Sequence, residues 1–103
     1  MINVSGLYPN QPGLHFDVEY YCTRHIPMVR QLLGPALLKL EVDQGVAGAQ
    51  PGSLPPYLAV GHLYFESLDA FANAFGQHLP QISADVPNYT NSRSVIQVSE
   101  VKI

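Results

Sequence analysis

Phe16-Asp17-Val18-Glu19-Tyr20-Tyr21-Cys22-Thr23-Arg24-His25-Ile26-Pro27-Met28-Val29 decides the fold, because it reads as the helix between a first and a second strand. Asp17 suits the N-cap, where its carboxylate accepts a hydrogen bond from a free N–H of the first turn. Glu19 adds negative charge at the positive end of the helix dipole. Val18, Tyr21, Cys22, His25, Met28, Val29, Leu32 and Leu33 recur at helical spacing and form one apolar stripe. His25 lies inside that stripe, and a titratable imidazole on a face meant for burial is the first pointer to chemistry. Pro27 has no N–H, so the Thr23 carbonyl loses its usual partner and a bend at or just before Pro27 is expected. Gly34-Pro35 ends the helix.

Outward from this helix, Ile2 to Tyr8 alternates as a strand with one apolar face, followed by the turn-rich run Tyr8 to Gly13. Leu37 to Asp43 alternates Leu38, Leu40 and Val42 against Lys39, Glu41 and Asp43, which fits a strand near a sheet edge. Gln44 to Pro56 reads as a mobile loop. Tyr57 to Glu66 is the most apolar strand, with Leu58, Val60 and Tyr64 on one face and Ala59, Leu63 and Phe65 on the other. Ser67-Leu68-Asp69 opens a second helix with the stripe Leu68, Phe71, Ala72, Phe75 and Leu79. Asp85 to Asn91 reads as a polar loop, and Ser94 to Ile103 as a last strand. The order strand, helix, strand, strand, helix, strand predicts a single ferredoxin-like α+β domain over residues 1–103, with both helices on one face of a four-stranded antiparallel sheet. Leu38 and Phe71 are expected in the core. The doubly apolar third strand predicts that the open face is buried against a second copy, giving a homodimer.

Composition narrows the function classes. Charged residues make up 13% of the 103, too few to cover a surface without a buried interface. A net charge of −3 with five Lys and Arg assembles no basic patch for nucleic acid or acidic lipid. No apolar run is long enough to cross a bilayer, the start carries no basic leader, and the single cysteine makes no internal disulfide. A cytoplasmic protein is expected, with no nucleic-acid or membrane partner.

His25 is the candidate acid/base, since burial and a neighbouring phenol tune an imidazole across neutral pH. The competing reading is a core histidine satisfied by a carbonyl or a tyrosine hydroxyl. Tyr21, four residues earlier, shares its face. Asp85, Asn88 and Tyr89 form a second group: either a local turn held by Asp85 and Asn88, or a loop that closes a pocket and presents the Tyr89 hydroxyl. His62 shares a strand face with Val60 and Tyr64, as a packing residue or a pocket contact. His15 and His78 read as solvated. Scattered histidines without paired carboxylates predict no metal site. Cys22, with no flanking basic residue, reads as a small core hydrophobe. No glycine-rich phosphate loop is present.

Phe16-Asp17, Tyr20-Tyr21 and His25-Ile26-Pro27 resemble the pattern of the EthD family, and Asp85-Val86-Pro87-Asn88-Tyr89-Thr90 with Val95 to Val101 resembles its second signature. The resemblance spans nearly the whole chain. It implies a dimeric α+β barrel, and an association with degradation of ethers and aromatics. Relatives in the wider superfamily include lactone isomerases, polyketide cyclases and cofactor-free monooxygenases, and a shared fold does not fix the reaction. The resulting expectation is a small cofactor-independent enzyme acting by proton transfer on an apolar, oxygenated metabolite of aromatic, lactone or polyketide type. His25 is its catalytic residue, and Tyr20, Tyr21, Tyr89 and His62 bind the ligand. Asp17, Pro27, Asp85 and Asn88 shape the site. The alternatives are a non-catalytic binding or accessory protein and, more distantly, a haem protein with His25 as one axial ligand. His25 is expected to line an apolar pocket between the first helix and the open face of the sheet.

Overall fold

A computed structural model describes residues 1–103. Four strands, β1 (Ile2–Pro9), β2 (Lys39–Gln44), β3 (Tyr57–Phe65) and β4 (Val95–Glu100), form one sheet in the order β2-β3-β1-β4 with every pair antiparallel. Two helices cover one face. The first, α1, spans residues 18–33 and the second, α2, is Leu68–Asp85. This is the ferredoxin-like α+β sandwich.

Asp17 caps α1, its Oδ1 accepting from the Tyr20 N–H at 3.0 Å, and Ser67 caps α2 in the same way through the Ala70 N–H. Gly34 ends α1 at a φ of 59°, a conformation that L side chains rarely adopt. Just before Pro27, where a bend is expected, α1 contains a π-helical turn over Tyr21–His25, in which the Ile26 N–H reaches back five residues to the Tyr21 carbonyl. That extra residue shifts the buried face by one position. Ile26 is therefore buried above Tyr21, whereas Cys22, expected in the core, is exposed.

The core has two parts on the covered face. Val4, Val29, Leu33, Phe65 and Ile82 pack at one end, with Phe71 and Phe75 against them. Tyr8, Tyr21, Ile26, Ala59 and Tyr89 form an aromatic-rich cluster at the other. Three points differ from the sequence reading. Leu38 precedes β2 and is 51% exposed, so it is not a core residue. Leu68 and Leu79 of the α2 stripe are exposed as well. Asp85 is the last residue of α2 rather than part of a loop, because the helix continues through the exposed Pro80.

The register assigns the two sheet faces. Val4, Gly6 and Tyr8 share the covered face with Ala59, Gly61, Leu63, Phe65, Ile96 and Val98. The open face is mostly polar, with Asn3, Ser5, Lys39, Glu41, Asp43, His62, Gln97 and Ser99, and its apolar part is a row of Val60, Leu7 and Val95 at one end and the Tyr64 ring at the other. The apolar character of β3 on both sides thus extends over only part of the open face. No helix is long and apolar enough to cross a membrane.

Candidate active site

The π-helical turn of α1, the end of α2 and the segment after it converge over β1. A backbone bridge between Phe16 and Thr90, and the Asp17 N–H donating to the Tyr89 carbonyl at 2.7 Å, tie the start of α1 to that segment. His25 projects from the π turn, 4% exposed, and its Nδ1 lies 2.9 Å from Asp85 Oδ2. Asp85 Oδ1 accepts from the Tyr20 hydroxyl at 2.7 Å and from Asn88 Nδ2 at 2.9 Å. With three donors on its carboxylate, Asp85 is an anion held in one orientation. Burial alone would raise its pKa, but the bonds from Asn88, His25 and Tyr20 outweigh that and hold it below the usual value.

The far nitrogen of His25 faces the phenols. Tyr89 Oη is 3.5 Å from Nε2 and 2.7 Å from Tyr8 Oη. Tyr21 stacks on the imidazole at a centroid distance of 5.6 Å and an interplanar angle of 16°. Burial lowers the His25 pKa more than Asp85 raises it, so the ring is neutral at pH 7. An anion at Nδ1 fixes the proton there and leaves the Nε2 lone pair toward Tyr89. Burial raises the pKa of Tyr8, Tyr21 and Tyr89, with Tyr8 also raising those of the other two, so all three are phenols that donate hydrogen bonds.

His25, Tyr21, Tyr89 and Tyr8 line a cavity of about 190 Å³ between the helices and the covered face of the sheet, closed mainly by apolar side chains such as Ile26, Val29, Phe75 and Ile82. This corrects the expected position on the open face: the α1 stripe points at the sheet face beneath it. Of the residues singled out in the sequence, the structure brings His25, Tyr20, Tyr21, Asp85, Asn88 and Tyr89 together. Tyr20 and Asn88 hold Asp85 and do not line the cavity. Asp17 caps the helix and Pro27 follows the π turn.

His62 is elsewhere. It projects from the open face, with Nδ1 3.2 Å from the Ser5 hydroxyl and Nε2 3.1 Å from Asp43, and contributes nothing to the cavity. Its even-numbered place on β3 puts it opposite Ala59 and Gly61. The sequence does not single out Tyr8 as a site residue, although alternation with Val4 and Gly6 gives it their face. No group of three or more His, Cys, Asp or Glu side chains converges as a metal site would need.

A family model described as the EthD domain matches residues 15–93. The solved structure of an EthD-like protein from Ralstonia eutropha JMP134 is similar at 38% identity with a TM-score of 0.95, covering 99% of this chain and 92% of that one. An ethyl tert-butyl ether D (EthD) family protein from Bacillus halodurans C-125 superposes with a TM-score of 0.76 at 17% identity, covering 99% of both chains. HapK from Hahella chejuensis does so at 0.59 and 14%, covering 99% of this chain and 93% of its own. The last two are likenesses of fold. No curated protein sequence is significantly similar. The chain belongs to the EthD family.

Proposed function

We propose that this protein is an enzyme that moves a proton next to the carbonyl of a small apolar metabolite, with His25 as the base. The observation that carries the reading is the His25–Asp85 pair, which turns a neutral Nε2 lone pair toward an apolar cavity. Nε2 and the Tyr89 hydroxyl stand side by side, so the α-hydrogen and the oxygen of one carbonyl compound can each meet one of them. Nε2 takes the α-proton, the C–H electron pair becomes a C=C bond, and the carbonyl π pair moves onto oxygen. Tyr89, backed by Tyr8, donates a hydrogen bond to that oxygen. Asp85 stabilises the imidazolium, which returns the proton to the same or a conjugated carbon and so resets the base. Isomerisation is the simplest outcome, and cyclisation or dehydration can begin from the same enolate.

The reading includes self-association through the open face of the sheet. Its support is the cross-strand row Val60, Leu7 and Val95, of which Val95 is 53% exposed.

The test is exchange of the α-protons of 1-tetralone in deuterium oxide, followed by proton NMR. Wild-type protein is expected to accelerate exchange, and His25→Asn to lose about 100- to 10,000-fold of that acceleration. Equal exchange rates for the two proteins, with the fold intact, would contradict the assignment and favour a non-catalytic binding protein.

A further inference from the structure

Gly6 of β1 and Gly61 of β3 face each other across the strand pair and both line the cavity. Glycine inside a strand gives up packing and conformational restriction, so each position calls for a physical reason. At Gly61 the reason is Tyr21, whose hydroxyl oxygen would lie 2.5 Å from a Cβ built there. Gly6 has no counterpart. Its φ is not among the positive values, which are at Gly13, Gly34 and Gly52. A Cβ at Gly6 would meet only Ile96 Cδ1 at 3.6 Å, an ordinary contact. The chain itself therefore leaves room for a side chain at position 6, and that room belongs to the cavity. Around it stand Val4 and Tyr8 on the same strand and Ile96 on β4, with a bare strip of peptide between them.

The geometry points to a flat slot over Gly6 that receives the planar enol of a one- or two-ring ketone, its oxygen toward Tyr89 and His25. The inference rests on the proton-transfer reading of the same site and adds the substrate's shape. Size agrees, since an apolar cavity of roughly 150 Å³ accepts benzene and this one is about 190 Å³. Shape supplies a catalytic advantage. A ring dienone carries an α-hydrogen that stands out of the ring plane, whereas its enol is a flat phenol or naphthol and approaches a floor without a Cβ more closely. Contact with the floor thus strengthens along the reaction, which is the differential binding that lowers a barrier.

The experiment measures binding of phenol, 1-naphthol and decahydro-1-naphthol by calorimetry to wild type, Gly6→Ala and Gly6→Val, with thermal melts alongside. 1-Naphthol stands for the flat enol, and its decahydro form keeps the oxygen and the carbon count but is puckered. Wild type is expected to bind 1-naphthol about tenfold or more tighter than the decahydro compound. Gly6→Val should lose about tenfold or more for 1-naphthol and a smaller factor for the smaller phenol, with a melting temperature no lower than wild type. Gly6→Ala should fall between them, and it carries the comparison where the valine variant does not fold. Unchanged 1-naphthol binding in the folded variants, or equal wild-type affinity for the two bicyclic alcohols, would overturn the slot. Either result leaves the His25 reading to the tetralone exchange. Loss of the His25 dependence with the Gly6 selectivity intact would overturn catalysis and keep the slot as a binding site.

Discussion

Desolvation and pairing pull the His25 imidazole in opposite directions. Burial lowers its pKa, the Asp85 carboxylate raises it, and burial wins. A histidine whose folded pKa lies below its unfolded value near 6.5 favours the native state fully above that value, and the contribution is lost as pH falls toward the folded pKa. Asp85 behaves as a depressed carboxylate, contributing above its ordinary 3.8 and losing that contribution as pH falls through its lower folded value. Urea midpoints of the wild type should therefore rise between about pH 5 and pH 7, and those of His25→Asn should rise less. Parallel profiles would show that His25 does not titrate as described. Asp85→Asn removes the anion that sets the tautomer. It should cost about 1–3 kcal/mol in chemical denaturation, because charged hydrogen bonds to His25, Tyr20 and Asn88 are lost together. It should also slow tetralone exchange about 100-fold or more while the cavity still binds 1-naphthol.

At the scale of elements, the π turn in α1 places the site. Its one extra residue brings Tyr21, His25 and Ile26 all onto the buried face, which an uninterrupted α-helix does not do. Deleting the exposed Thr23 should restore regular spacing and turn His25 by about 100° relative to Tyr20 and the preceding turn. The expected result is retained helical circular dichroism with loss of tetralone exchange; retained exchange would show that the turn is dispensable. Packing yields a second expectation at this scale. Phe65→Ala, in the fully buried part of β3, should cost about 3–5 kcal/mol, and Leu38→Ala well under 1 kcal/mol. Similar urea midpoints for the two variants would contradict the register.

The same elements show what sequence reading can reach. Alternation and helical spacing located all four strands and both helices, and Asp17, Ser67 and Gly34 marked helix ends from their own chemistry. An unbroken helical period misplaces Cys22 and Ile26, and Pro27 signals an irregularity without giving its form. The His25–Asp85 pair was not legible because the residues are 60 positions apart and each has a sufficient local explanation. Gly6 carried no signal as one more small residue in an alternating strand. Its meaning needs the cavity above it.

For the whole molecule, the two sheet faces have divided work. The helix-covered face holds the cavity, while the open face holds His62, its polar neighbours and the apolar row that we propose meets a second copy. Light scattering should therefore give a dimer mass for wild type and a monomer mass for Val95→Asp, a substitution at an exposed position on the sheet face opposite the cavity. A monomeric wild type at micromolar concentration would remove the dimer.

The central claim is that burial keeps His25 neutral while Asp85 holds its proton on Nδ1 and leaves the lone pair on Nε2. Nitrogen-15 NMR of the histidine ring at pH 7 tests it most directly, because protonated and bare ring nitrogens resonate far apart. The account predicts a protonated Nδ1, a bare Nε2, and a midpoint below 6.5 on acidification. An imidazolium at pH 7, or a proton on Nε2 with Nδ1 bare, would contradict it.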